Sequence, residues 1–467
     1  MSSNGDWGAA TELTALEAMM WRSESDPLLR SHGVVFELLD RTPDWERLVR
    51  AHEWAIARVA KLRQRVVDDP SLVGMPAWVD VEVDLERHLS RTVLPANASL
   101  DDALDVAARF HEAGLDRERP QWAAMLVEGL PGGEAALLLK LHHAMADGTA
   151  VIQLLNLLHS DRRRPTPKKP TAPRQDSHHL EEVELTLRHL RGAALGSPGA
   201  ILSAAHGAAR AGLNAVRRPG ATADFARSLL RVTGPGPGTP SALLAQRGLR
   251  RRLAVIDIPL EDLRGAGRAA GGTLNDAFLA GLLGGLRHYH EDHGTLVGDL
   301  PIALPVSLRT DDDAAGGNRF AGARIAGPVW ATDPLLRMKL VGQRVRIARD
   351  EPALDFMGLA AGVVSRVPAP LLSRLTGSFT RSIDLQASNF RGLDREAYLA
   401  GARVLRTFAF GPAPGCGAMA TLVSHEGRCC IGLTIDTAAV TDGDGFVDAM
   451  HKGFDEVLEL AAERAAR

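Results

Sequence analysis

The sequence predicts a two-domain α/β protein, and three observations carry that reading. At 467 residues the chain is long enough for two ordinary domains and a large core. In both halves, short apolar runs of strand length alternate with segments of helical periodicity. Two breaks rich in proline, glycine or charge, at 162–174 and 233–238, interrupt this alternation. They divide the chain into an N-terminal domain (1–165), a linker with crossover helices (166–240) and a C-terminal domain (241–467).

Taken in order, residues 11–24 read as a helix capped by Thr11 or Thr14, with Leu13, Leu16 and Met20 on one side. Residues 33–39 are rich in β-formers and read as a strand. An amphipathic helix is expected over 44–63 and another helix over 100–114. A strand at 123–130 and the Pro131-Gly132-Gly133 turn lead into the apolar run 135–141, a buried strand. That run delivers His142-His143-Ala144-Met145-Ala146-Asp147-Gly148 onto a strand-to-helix turn, because Val151, Leu154, Leu155 and Leu158 follow at helical spacing. Gly148 stands where a tight turn favours a residue without a side chain. Neighbouring side chains on a strand point to opposite faces. If strand geometry persists to His143, one histidine enters a cleft while the other packs or orients it.

Residues 179–232 read as alanine- and arginine-rich helices, more consistent with a solvated face than with a membrane-binding one. The second half opens on Arg250-Arg251-Arg252 and a strand to Ile258. Those arginines suit either coenzyme A phosphates or a charged sheet edge. Thr273 is placed to cap a buried helix that begins with Asn275-Asp276. A strand at 302–306, strands at 403–410, 418–424 and 428–435, and a helix at 446–463 complete the pattern.

Composition excludes several classes. The formal net charge is −3, which gives no reason to expect nucleic acid. Cys416, Cys429 and Cys430 form neither a disulfide framework nor a metal-ligand spacing, and fit a reducing compartment. No secretory signal and no membrane span is legible. The expectation is a cytoplasmic protein, or one peripheral at a membrane or lipid inclusion.

His-His-x-x-x-Asp-Gly resembles the active-site signature of the CoA-dependent acyltransferase superfamily. More specifically, the chain resembles the bacterial wax ester synthase/acyl-CoA:diacylglycerol acyltransferase family. The opening at 11–24, the 78–89 block with Asp84 and His88, Pro120, Asn275-Asp276, Pro305-Val306-Ser307-Leu308-Arg309, Gly317-Asn318-Arg319, Ser388-Asn389, and Asp436 with Asp442 recur in order. Departures from the family pattern stand at Glu17 (usually aspartate), Gln121 (usually leucine) and Phe390-Arg391 (usually valine and proline).

The resemblance implies a chloramphenicol acetyltransferase-like fold, with mixed sheets and an active-site channel between the domains. It implies transfer of a fatty acyl group from acyl-CoA, as co-substrate without a further cofactor, to diacylglycerol or a long-chain alcohol. His143 would be the general base, with His142, Asp147, Gly148, Glu24 and Asn275 supporting catalysis. Asn275 is the candidate oxyanion donor, its plainer reading being a helix-entry residue with a local hydrogen bond. Asp147 would brace the turn through an arginine, with Arg309 one conceivable partner. Asp276, Ser307, Arg309, Ser388 and Asn389 would bind substrate. His88 reads as structural. Other readings are a condensation-like enzyme using a carrier-protein thioester, a metal site at the histidines, and a non-catalytic lipid-binding paralogue. Adjacent histidines on a strand do not readily converge on one ion. No Gly-x-Ser-x-Gly nucleophile motif accompanies the histidines, so direct transfer is expected.

Overall fold

A computed structural model describes residues 11–69, 71, 74–164, 182–195, 237–307, 320–350 and 367–465. The run expected as a buried strand is β6 (Ala135–His142), and all of its residues are buried. It is central because its neighbours saturate both of its edges. β1 (His32–Leu39) and β5 (Trp122–Glu128) each pair with it antiparallel. The first sheet continues through β12 (Ala402–Phe410) and β11 (Tyr398–Leu399) on one side and β4 (Leu89–Val93) on the other, in the order β11-β12-β1-β6-β5-β4. A separate two-stranded sheet joins β2 (Gln64–Val67) to β3 (Ala77–Asp80).

The second sheet has the order β7-β14-β13-β10-β8-β9. Its strands are β7 (Arg251–Pro259), β8 (Asp299–Ser307), β9 (Phe320–Pro328), β10 (Leu385–Arg391), β13 (Ala418–His425) and β14 (Arg428–Asp436). It is mixed, since β10 runs parallel to β8 and β13 while β13 and β14 are antiparallel. The expected division at 166–240 does not follow the sheets. The chain leaves the second sheet after β10, contributes β11 and β12 to the first, and returns as β13. Gly432 of β14 lies against the Ala409 carbonyl of β12, where any side chain would overlap it, so a bare backbone lets the two sheets approach.

Helices pack against both sheets. In the first half these are α1 (Ala15–Ser23), α2 (Trp45–Arg58), α3 (Leu100–Glu112), α4 (Gly148–Leu158) and α5 (Glu182–Leu195). The helix expected over 44–63 ends at Arg58 and tightens to a 3-10 turn at Ala60–Arg63. In the second half they are α6 (Leu260–Ala269), α7 (Leu274–Asp292), α8 (Pro334–Arg349), α9 (Ala369–Thr380) and α10 (Gly443–Ala465). α7 is buried along most of its length, against α6, α8 and α10. Of the helices expected over 179–232, only α5 falls among the described residues. Cys416, Cys429 and Cys430 are buried free thiols, each pushed up to about 12 by burial. Among the described residues no helix is long and apolar enough to cross a membrane.

Candidate active site

The period of β6 sorts the two histidines. Leu139, Leu141 and His143 line a cavity of about 200 Å³ between the two sheets. His142 is buried and does not line it. Its Nδ1 accepts the Ala144 N–H at 3.0 Å, so Nε2 carries the proton and donates it to Glu24 Oε1 at 2.9 Å. The edge of Trp21 packs on the ring at 5.5 Å between centroids. Glu24 closes the C-terminus of α1. It also accepts the Ser31 N–H at 2.5 Å, and the Ser31 carbonyl accepts the His143 N–H at 2.7 Å. One carboxylate therefore orients the ring of His142 directly and the backbone of His143 through Ser31. Burial pushes the Glu24 pKa up, but the His142 imidazole and the Ser31 N–H outweigh it, leaving it about 2. Glu24 is a bonded partner of the histidine pair, not a solvated surface group.

The turn after β6 ends where Asp147 caps α4, its Oδ1 accepting the Ala150 N–H at 3.0 Å. Arg309, the conceivable arginine partner, lies outside the described residues. Among the described residues a lysine braces the turn. Lys61 Nζ donates to the Ala144 carbonyl at 3.3 Å, sits 3.5 Å from Glu17 Oε1 and lies 4.8 Å over the Trp78 ring. Burial lowers its pKa, while Glu17 and Asp147 pull the other way. Glu17 completes a capping box with Thr14 and reaches this buried ammonium with its other oxygen. The glutamate at a position where the family usually has aspartate thus serves both the cap and the lysine.

Gly148 is needed for a different reason than expected. A Cβ there would stand 2.8 Å from the Phe390 ring, so the bare backbone admits an aromatic side chain from β10 of the other sheet. Gln121, the other buried departure, has an equally local explanation. Its amide donates to the Asp116 and Arg119 carbonyls at 2.7 and 2.6 Å, and its backbone carbonyl accepts the His142 N–H at 3.0 Å.

The cavity wall is mainly apolar, with Val34, Val35, Leu139, Phe390, Phe410 and Met419 around the half-buried His143. Ser388 and Asn389 line it. Asn275 does not. It accepts a hydrogen bond from Asn389 Nδ2 at 3.4 Å, one residue removed from the cavity. Asp276 also lies away from the wall, because its carboxylate holds the Thr273 N–H and hydroxyl at 2.8 and 2.9 Å in a second capping box. Ser307 closes β8, where Pro305 lines the cavity. Arg250, just before the edge strand β7, and Arg251 and Arg252 at its start pair with Glu112, Asp436 and Asp444, the sheet-edge reading. His88 is structural: Nδ1 donates to the Trp122 carbonyl at 2.8 Å and the rings stack at 4.6 Å. Among the described residues no group of three or more His, Cys, Asp or Glu is arranged to hold a metal ion.

Sequence reasoning did not single out Lys61. It falls in the tail of an expected amphipathic helix, where a lone lysine reads as solvated, and only the fold reveals its burial.

This fold is that of the CoA-dependent acyltransferases. It matches a wax ester synthase/diacylglycerol acyltransferase from Marinobacter aquaeolei with a TM-score of 0.63 at 19% identity, covering 97% of this chain and 100% of that one. It also matches the first condensation domain of the CDA synthetase with a TM-score of 0.56 at 16% identity, covering 97% of each. At the level of sequence, residues 13–278 match the wax ester synthase/diacylglycerol acyltransferase catalytic domain and residues 316–458 the C-terminal domain of the same family. A Mycobacterium tuberculosis protein named for diacylglycerol O-acyltransferase activity is 40% identical over 461 residues, 98% of this chain and 93% of that protein. The chain belongs to the wax ester synthase/diacylglycerol acyltransferase family and is an O-acyltransferase.

Proposed function

We propose that the protein moves a fatty acyl group from acyl-CoA to the hydroxyl of diacylglycerol or a long-chain alcohol, with His143 as general base and no covalent acyl-enzyme. The hydroxyl oxygen attacks the thioester carbonyl carbon while His143 takes its proton. The carbon–sulfur bond then breaks, and the imidazolium returns the proton to the departing thiolate. Histidine suits both roles because its ordinary pKa lies near neutrality. One observation carries the reading: His143 stands on the wall of a mainly apolar cavity, while both ring nitrogens of its neighbour His142 are occupied by Ala144 and Glu24. Ser388 and Asn389 are the polar groups proposed to contact substrate. A lipid acceptor resides in a membrane or inclusion, so the protein is proposed to work at such a surface.

The test is thiol release from acyl-CoA with an alcohol and with diacylglycerol. His143→Ala should lose about 10²–10⁴-fold in turnover, the usual contribution of a positioned acid–base group. Near-normal turnover in that variant would remove His143 from the reaction.

A further inference from the structure

Phe390 is the feature of the cavity that the proposed reaction leaves unexplained. On β10, Gln386, Ser388 and Phe390 alternate with Ala387, which is buried in the core of the second sheet, and all three line the cavity. Phe390 goes further. Its ring packs against the core of the first sheet and rests on Gly148, within 2.8–3.1 Å of where a Cβ would stand. Gly148 adjoins Asp147, and both share the cavity wall with His143. One aromatic side chain therefore bridges the two sheets beside the proposed base.

The remaining space is small. About 200 Å³ falls below the roughly 300–1,000 Å³ of pockets that enclose drug-sized ligands. The reacting hydroxyl must come within hydrogen-bond reach of His143, so the groups flanking that hydroxyl must share the space left by Phe390. A fatty acyl donor is slender at its reacting end whatever its length, since only methylenes follow the thioester carbonyl. An alcohol is not bound by that rule. A linear primary alcohol presents one methylene beside its hydroxyl, whereas diacylglycerol presents a carbon backbone with two ester branches. We propose that Phe390 sets the breadth of acceptor admitted beside His143 and selects linear primary alcohols over branched ones. This deepens the proposed function and rests on it.

The experiment compares kcat/KM by thiol release for hexadecanol, a 2-alkyl-branched primary alcohol and diacylglycerol, and separately for acyl-CoA of three lengths. It uses the full chain, Phe390→Val and Phe390→Leu, each checked for a cooperative melt. The wild type should favour hexadecanol. Both variants should shift the ratio toward the branched acceptors, Phe390→Val by about tenfold, the lower end of what one methylene contributes in an apolar pocket. The acyl-length profile should stay fixed. Turnover with unchanged acceptor ratios in both folded variants overturns the role of Phe390 alone, as does a shift confined to the acyl series. Wild-type silence on every alcohol overturns this role and the proposed acceptor chemistry together.

Discussion

Lys61 is buried, its side chain 3% exposed, with Glu17 as its counter-charge and the Ala144 carbonyl as its other acceptor. Removing one member of a buried pair strands the other, which typically costs about 3–5 kcal/mol. Lys61→Met should therefore lower stability by about that amount in denaturant melts. Adding Glu17→Gln should restore most of the stability, because no charge is then left uncompensated. Turnover should remain low in the double variant, since the turn before Asp147 still lacks its donor. Full recovery of both quantities would reduce Lys61 to a packing role. Glu24 is read through pH instead. Its carboxyl is held at about 2 in the folded state against an ordinary 4.5, so its contribution to stability is present above pH 4.5 and is lost as pH falls toward 2. Glu24→Gln should flatten the fall in stability between pH 4.5 and 2. Denaturant melts across that window check this, and an unchanged acid limb would contradict the Glu24–His142 assignment.

At the scale of elements, legibility followed local physics. β6 was readable because its buried positions are apolar from Ala135 to Leu141 with only Lys140 interrupting, and the separation of His142 from His143 followed from strand parity. The caps were partly readable. Thr273 was identified, but Asp276 three residues on completes the same box, and the threonine-x-x-acid spacing argues for that local role over substrate binding. Asp276→Ala should accordingly cost about 0.5–2 kcal/mol of stability and leave KM for acyl-CoA unchanged. A raised KM with normal stability would return Asp276 to the site. α6, α8, α9 and β9 were not assigned from sequence. α8 buries Arg337 and Gly342 beside Met338 and Val341, so its buried face is not an apolar stripe. Phe390 was visible only as a departure from pattern, because its meaning depends on Gly148, 242 positions earlier and in the other sheet.

At the scale of the whole molecule, the excursion of β11 and β12 into the first sheet makes neither half complete without the other, which no composition shift along the chain announces. The second half is gathered at one buried carboxylate. Asp384 precedes β10, donates its N–H to the Pro301 carbonyl at 3.2 Å on β8, and accepts the Ala418 N–H of β13 at 3.0 Å through its own carbonyl. Its side chain accepts the Ser241 N–H at 2.9 Å, fastening the start of the second half, while Oδ1 has no partner among the described residues. Burial pushes its pKa up to about 7, against the pull of the Ser241 N–H and Arg247. Between its ordinary value near 4 and about 7, the folded chain keeps a proton that the unfolded chain has released. This group therefore subtracts stability as pH rises through that window, and the deficit persists above it. Asparagine retains an acceptor for Ser241 without a charge to bury. Asp384→Asn should raise the Tm at pH 8, have little effect at pH 4, and remove the decline between them. Equal effects of the substitution at both pH values in thermal melts would mean that Asp384 carries no buried charge, leaving only its backbone bonds to join the strands.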